Sequence, residues 1–380
     1  MNLDEYLIGK NDLINAFDKN SKSWKEDVMV AKFNIVSACL SNYLPHIKYE
    51  EHENIFKEIL LQQQLSIFEQ SFYDLPDYIV YENLDASVWE LLKNKPSIIC
   101  TYHTGSYRLL NVFLAKNKIP YSLVISKEAI QSQGESFTRM FAELNGNTGT
   151  ASTLTLIDAE SPACVLQMAR ELKNGKHLVV YIDGNTGAGT ETLNNHNHCA
   201  IDFLNQQIFA RKGVGFLAHT MKVPVLPVAS FRKSTNDIHL KFFEPVMPDT
   251  KQDRALFAEN LIKHIYSLVA PIISQYPAQW EAWLYLNKVA CVNKTSVPSS
   301  SALVRLPAAN DKLSFNSAGF GIFKIVKNSF LFKKSNYESF KISSKVYSQL
   351  RNCAHAPVLR KDIDIPEFDE LFYNNVLVKT

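Results

Sequence analysis

No stretch of about 18 consecutive apolar residues occurs in this 380-residue chain, so no segment reads as a membrane-spanning helix. The start, Met1-Asn-Leu-Asp-Glu-Tyr6, lacks the basic and apolar regions of a secretory signal, and the expectation is a cytoplasmic protein. Excess charge of one sign is also missing: 40 Lys and Arg face 38 Asp and Glu, a formal +2, which argues against a nucleic-acid partner. The cysteines Cys39, Cys100, Cys164, Cys199, Cys291 and Cys353 lie far apart, several in apolar runs, and read as reduced core thiols. Asn195-His196-Asn-His198-Cys199 offers three candidate ligands without a matched pair at finger spacing, so it reads as a polar loop and no metal site is expected. The glycine-bearing loop Asp183 to Gly189 lacks the Lys-Ser/Thr ending of a phosphate cradle, and no internal repeat is found.

What is present is a 46% hydrophobic composition, enough for one large core and a small second unit. Residues 1–85 read as a helical region, because apolar residues from Val28 to Glu69 recur at helical spacing. Beyond Pro96, short β-rich runs alternate with helical stretches: Ile98–Cys100, Tyr121–Ile125, His177–Ile182, Val223–Val228 and Ile238–Phe243. A helix opens at Ser161-Pro162 and closes at Gly175, and another runs from Leu256 to Ile273. That alternation predicts an α/β fold over 86–292, a mixed, mostly parallel sheet flanked by helices. The small polar run Thr295 to Ser301 places a linker at 293–301. Residues 302–380 read as a small α+β domain: a hairpin of Ala302–Leu306 with Lys312–Phe315, a helix over Ser339–Leu350 and another after Pro366.

The most informative stretch is Ser97-Ile-Ile-Cys-Thr-Tyr-His103-Thr-Gly-Ser-Tyr-Arg108, a buried-strand pattern with a histidine at its end. Open α/β sheets bind ligands at the carboxyl ends of their strands, and imidazole is the side chain suited to take a proton near neutrality. Gly105 allows close backbone approach, and the N–H groups of Thr104, Gly105 and Ser106 are candidates to face an oxyanion. The competing reading is a hydrogen-bonded core histidine beside a turn.

Five blocks then stand in order: the helical preface Phe33-Asn-Ile-Val-Ser to Leu44-Pro-His-Ile; His103-Thr-Gly-Ser-Tyr; Phe137-Thr-Arg139 with Leu172 to Asp183; Ala200-Ile-Asp-Phe203 through Arg211-Lys-Gly213 to Pro227; and Pro277-Ala-Gln-Trp280 with Trp283. Together they resemble the lysophospholipid acyltransferase superfamily, most closely the lipid A late acyltransferase branch, over roughly two thirds of the chain. The resemblance implies a glycerolipid acyltransferase-like fold with His103 as general base. It also implies an acyl carrier protein or coenzyme A thioester as donor and no bound cofactor. Arg139, Arg211 and Lys212 fall in blocks that would bind substrate. Two departures stand out. The family has an acidic residue five positions after its histidine, where this chain has Arg108, and the membrane span usual in that branch is not found.

Arginine depresses a neighbouring imidazole's pKa and cannot orient it. Either Asp183 or Glu135 supplies the missing carboxylate, or Arg108 holds an anionic part of donor or acceptor. The C-terminal unit is faintly similar to PqqD-like domains: Leu306 to Phe320 resembles their hairpin and the start of a helix, and Phe368 to Val378 their last helix and strand. That likeness implies a peptide acceptor bound through 302–380. Arg211, Lys212, Lys222, Arg232 and Lys233 read either as a face for an acidic carrier protein or as solvated charges. Trp280, Trp283 and Tyr285 read as core aromatics or as a wall for the acyl chain. The leading expectation is a soluble acyltransferase acting on an amine or hydroxyl. A degenerate binding scaffold and a thioester hydrolase stay open beside it.

Overall fold

A computed structural model describes residues 3–21, 27–145, 154–184, 196–249, 251–291 and 305–380. In chain order the helices are α1 (Leu3–Ser21), α2 (Asp27–Tyr43), α3 (His52–Glu69), α4 (Ala86–Asn94), α5 (Leu109–Lys116), α6 (Lys127–Asn145), α7 (Cys164–Lys173), α8 (Gly213–Met221), α9 (Arg254–Gln275), α10 (Ser344–His355) and α11 (Phe368–Tyr373). The strands are β1 (Val80–Glu82), β2 (Ile98–Thr101), β3 (Tyr121–Ile125), β4 (Thr155–Asp158), β5 (His177–Tyr181), β6 (His198–Phe203), β7 (Gln206–Arg211), β8 (Val225–Ser234), β9 (Asp237–Phe242), β10 (Ala290–Cys291), β11 (Lys312–Phe315), β12 (Phe320–Ile325), β13 (Asn328–Lys333), β14 (Glu338–Ile342), β15 (Val358–Leu359) and β16 (Leu377–Lys379).

The chain packs as two compact units. The first takes Met1–Lys19, Lys57–Ala282 and Lys288–Cys291; the second takes Asn20–Phe56, Trp283–Asn287 and Val292–Thr380. The helical region expected over 1–85 is therefore shared between units, and the linker expected at 293–301 lies outside the described residues.

The first unit is built on a seven-stranded sheet of order β1-β9-β8-β2-β5-β3-β4. Only the β8–β9 pair is antiparallel, so the expected α/β fold with a mostly parallel sheet is what the chain adopts. Its central strands are continuous apolar runs because both faces are covered: Ile99, Val179, Leu123 and Leu226 pack into one core with Leu110, Phe113 and Phe141. Strands β1 and β4, at the two edges of the sheet, were not among the expected strands. A second sheet, β10-β7-β6, holds His198 and Cys199 as buried strand residues, which corrects the polar-loop reading, and no metal-holding cluster exists among the described residues. Helix α9 is long and apolar enough to cross a membrane, yet residues such as Leu261, Ile265 and Val269 are buried in this unit, as in a core helix.

Arg232, read from sequence among scattered surface cations, is 2% exposed. Its Nη1 and Nη2 donate to both oxygens of Glu69 (2.9 and 2.7 Å) and its Nε to Gln62 Oε1 (2.8 Å), while Tyr6 donates to Glu69 Oε1 (3.0 Å). Strand β8 is buried without alternation from Val225 through Arg232, and the bidentate, fully bonded carboxylate offsets the arginine's desolvation.

In the second unit, β15-β11-β16 and β12-β13-β14 form two antiparallel sheets. The region from Val28 to Glu69 is helical, as expected, in α2 and α3, parted where Pro45 disfavours the helical conformation at Leu44. Three expectations are corrected in the second unit. Residues 302–304 of the expected hairpin lie outside the described residues; Arg305 and Leu306 are not strand, and β11 pairs instead with β15 and β16. Asn316 opens a turn rather than a helix, its Oδ1 accepting from Gly319 N (3.1 Å) just before β12. Ser339–Leu350 divides into β14 and α10, where Ser343 stops the strand by capping the Val346 N–H (3.2 Å). Helix α2 lies so close to β12 that a Cβ on Gly321 would sit 2.2 Å from Asn34 Oδ1.

Two stability outcomes follow. Glu69→Gln should cost roughly 3–5 kcal/mol by urea denaturation, because it strands a buried guanidinium, whereas Glu69→Leu with Arg232→Met should recover most of that loss. A Glu69→Gln protein of unchanged stability would contradict the assignment. In the second unit, Lys334 is buried, bonded to Ser37 Oγ (2.8 Å) and Ser317 O (2.7 Å), and burial lowers its pKa from 10.5 to about 7. The unfolded chain therefore binds the extra proton between those values, so stability rises with pH from about 7 toward 10.5. Lys334→Met should flatten this slope; denaturation profiles that run parallel for the two proteins would argue against it.

Candidate active site

Strands β2 and β5 are hydrogen-bonded parallel neighbours, so the residues just beyond their carboxyl ends meet although 80 positions separate them. His103 follows β2 and Asp183 follows β5. His103 Nδ1 lies 2.8 Å from Asp183 Oδ1, and the His103 backbone N–H donates to Oδ2 (2.9 Å). Trp280 Nε1 donates to the same Oδ2 at 2.7 Å, so the carboxylate is held by three donors with its side chain 1% exposed. Asp183 is thus the carboxylate that the sequence left open. Glu135, the other candidate, is exposed on α6 in an ion pair with Arg139 (3.4 Å).

The imidazole is positioned on its faces as well. Tyr181 stacks on it at 4.6 Å and Tyr107 meets it edge-on at 5.0 Å, while Asn111 Nδ2 fixes the Tyr181 hydroxyl at 3.0 Å. With Nδ1–H committed to Asp183, Nε2 carries the lone pair, and it has no hydrogen-bond partner among the described residues. The side chain keeps 21% exposure. Burial alone would lower its pKa, but the charge and hydrogen bond of Asp183, with the charge of Glu281, outweigh burial and the opposing charge of Arg108. The net result is a base raised above the ordinary 6.5.

Gly105 has φ +53°, and a Cβ there would approach Phe231 Cα to 2.8 Å, so this turn requires glycine. The expected oxyanion donors are mostly spent: Thr104 N–H bonds Tyr102 O (2.9 Å) and Gly105 N–H bonds Gln279 O (3.0 Å). The Ser106 N–H, just ahead of α5, has no acceptor among the described residues, and the Thr104 and Ser106 hydroxyls are buried without partners.

Arg108 makes no contact with His103. It is buried, donates to Gln70 Oε1 (3.2 Å) and Gln133 Oε1 (2.5 Å), and lies over the rings of Tyr107 (5.2 Å) and Phe137 (5.9 Å). Arg139 points to solvent. Arg211 ends β7 half-buried, and Lys212 caps α8 with its ammonium over Phe216 (5.7 Å). The fold does not gather these three around the imidazole as a substrate-binding set. Trp280 is a core side chain, as read from sequence, but its indole nitrogen serves the site.

Sequence reading missed Glu281. It follows Trp280 directly, donates its N–H to His103 O (2.9 Å) and accepts from the Tyr107 hydroxyl (3.1 Å). No motif marks it, and only the bridge between Thr104 and Trp280 carries it to the histidine. No family model and no curated protein matches this chain.

Proton-sensitive NMR of the imidazole should give a midpoint above 6.5 for His103, and Asp183→Asn should lower it by about a unit or more, to below the ordinary value. An unshifted midpoint in the variant would remove Asp183 from its positioning role.

Proposed function

We propose that the protein is an acyltransferase in which His103 is the general base and Asp183 its orienting partner, moving an acyl group from a thioester to an external nucleophile. The observation that carries this reading is the His103–Asp183 pair at 2.8 Å, which leaves Nε2 open at the carboxyl edge of a parallel sheet. A histidine kept only for packing has no use for an unbonded nitrogen at the place where such sheets take ligands.

Among the described residues, no serine, threonine or cysteine side chain bonds His103. All six cysteines are free, and burial pushes the thiol of nearby Cys100 up, away from nucleophilic use. The base therefore acts on an incoming acceptor rather than on a residue of the chain. Nε2 takes the acceptor's proton as its heteroatom attacks the thioester carbon. The tetrahedral oxyanion meets the unspent Ser106 N–H at the start of α5. The C–S bond then breaks and the imidazolium returns the proton to sulfur. Arg108 plays no direct part; it stiffens Tyr107 from behind, and Asp183 on the neighbouring strand does what the acidic residue of the resembled family does. The donor is an acyl carrier protein or coenzyme A thioester. The same base would serve a thioester hydrolase, which differs only in taking water as acceptor. A spent binding scaffold accords less well with a fully oriented histidine–carboxylate pair.

Free-thiol release from a panel of acyl-coenzyme A thioesters tests the chemistry. His103→Ala should reduce it by a factor on the order of 10²–10⁴. Equal release by the variant and the unaltered protein would sink the base assignment.

A further inference from the structure

We infer that the acceptor is a primary amine, held as its ammonium by the Glu281 carboxylate beside His103. This rests on the acyl-transfer reading above and chooses between the amine and the hydroxyl that the sequence left open.

The charges around His103 are unequally used. Asp183 is consumed by its three donors, and the Arg108 guanidinium is turned to Gln70 and Gln133. Glu281 is different. Its backbone is fastened to His103 O and its Oε2 takes the Tyr107 hydroxyl, but its Oε1 has no partner among the described residues. The residue is half-exposed, and no described lysine, arginine or histidine pairs with it, although the charge of Arg108 is felt at both His103 and Tyr107. The fold thus keeps a carboxylate and a guanidinium on different sides of Tyr107 instead of letting them neutralise each other. A carboxylate left open next to a base suits a cationic ligand. It offers an ammonium both charge and hydrogen bond, offers a neutral alcohol the hydrogen bond alone, and repels a phosphate.

The Glu281 charge favours the ammonium and the imidazolium alike. In the reaction, Nε2 strips the ammonium and passes this first proton to solvent across its exposed edge. The amine lone pair then forms the C–N bond, Nε2 takes the second N–H proton, and sulfur receives it as the C–S bond breaks. Thioester and ammonium become amide, thiol and one released proton.

Octanoyl-coenzyme A with glycinamide, or with its hydroxyl counterpart glycolamide, tests this on the full chain, read by mass spectrometry and by thiol release. The expected result is His103-dependent octanoyl-glycinamide and little or no glycolamide ester. Glu281→Gln should raise the KM for glycinamide roughly five- to tenfold, with Glu281→Asp recovering part of the loss. Glycolamide acylated as well as glycinamide, or an unchanged KM in Glu281→Gln, would overturn the inference while thiol release leaves the acyl-transfer reading standing. Absence of His103-dependent thiol release with every acceptor would bring down both. The comparison of the two acceptors on the unaltered protein decides the matter even where Glu281→Gln does not fold.

Discussion

Everything at the candidate site hangs on one buried carboxylate. Asp183 accepts from the backbone and ring of His103 and from the indole of Trp280, so a single side chain joins the ends of β2 and β5 to the segment that closes the first unit. A carboxylate 1% exposed would be costly if any of these donors were lost, since an unpaired buried charge has no water to fall back on. The three bonds therefore act together. They fix the tautomer of His103 and hold Trp280 where its neighbour Glu281 can grip the His103 carbonyl.

This arrangement accounts for the arginine at position 108. The carboxylate that holds His103 arrives from just beyond the end of the adjacent strand, so position 108 need not supply one. An arginine there is tolerable because its guanidinium is directed away from the imidazole, into two glutamine carbonyls and two aromatic faces. Aromatic faces attract a guanidinium while adding no formal charge near the base. Arg108 still lowers the proton affinity of His103, but Asp183 and Glu281 outweigh it.

The legible part of the fold was the part written in local pattern. Strands such as Tyr121–Ile125 and Ile98–Thr101 declared themselves because strands buried on both faces are apolar throughout, and α9 because its apolar residues recur over 22 positions. His103 was legible as the polar end of such a strand. Its pairing with Asp183 was only one of two possibilities, because strand order is a tertiary property: β5 lies beside β2 through packing, not through spacing. The same limit hid Arg232, whose burial depends on the placement of Glu69, and the strand β14, whose residues were read as part of a helix until pairing with β13 is taken into account.

Glu281 marks where local reading ends and chemistry takes over. Its type is common and its neighbours are what one expects near a closing aromatic motif, so nothing in the sequence distinguishes it from a solvated acid. Its meaning comes from two bonds that the fold creates, one to His103 O and one from the Tyr107 hydroxyl, and from what they leave open. Tyr107 is the hinge of this electrostatic division. Its hydroxyl meets the carboxylate, its face meets the guanidinium at 5.2 Å, and its edge meets the imidazole at 5.0 Å. One aromatic ring thereby holds two opposite charges apart and lets both act on the same base. A direct ion pair between Arg108 and Glu281 would cancel those fields, and His103 would then be governed by Asp183 alone. The separation lets the Glu281 charge add to that of Asp183 at His103, while the Arg108 charge opposes both.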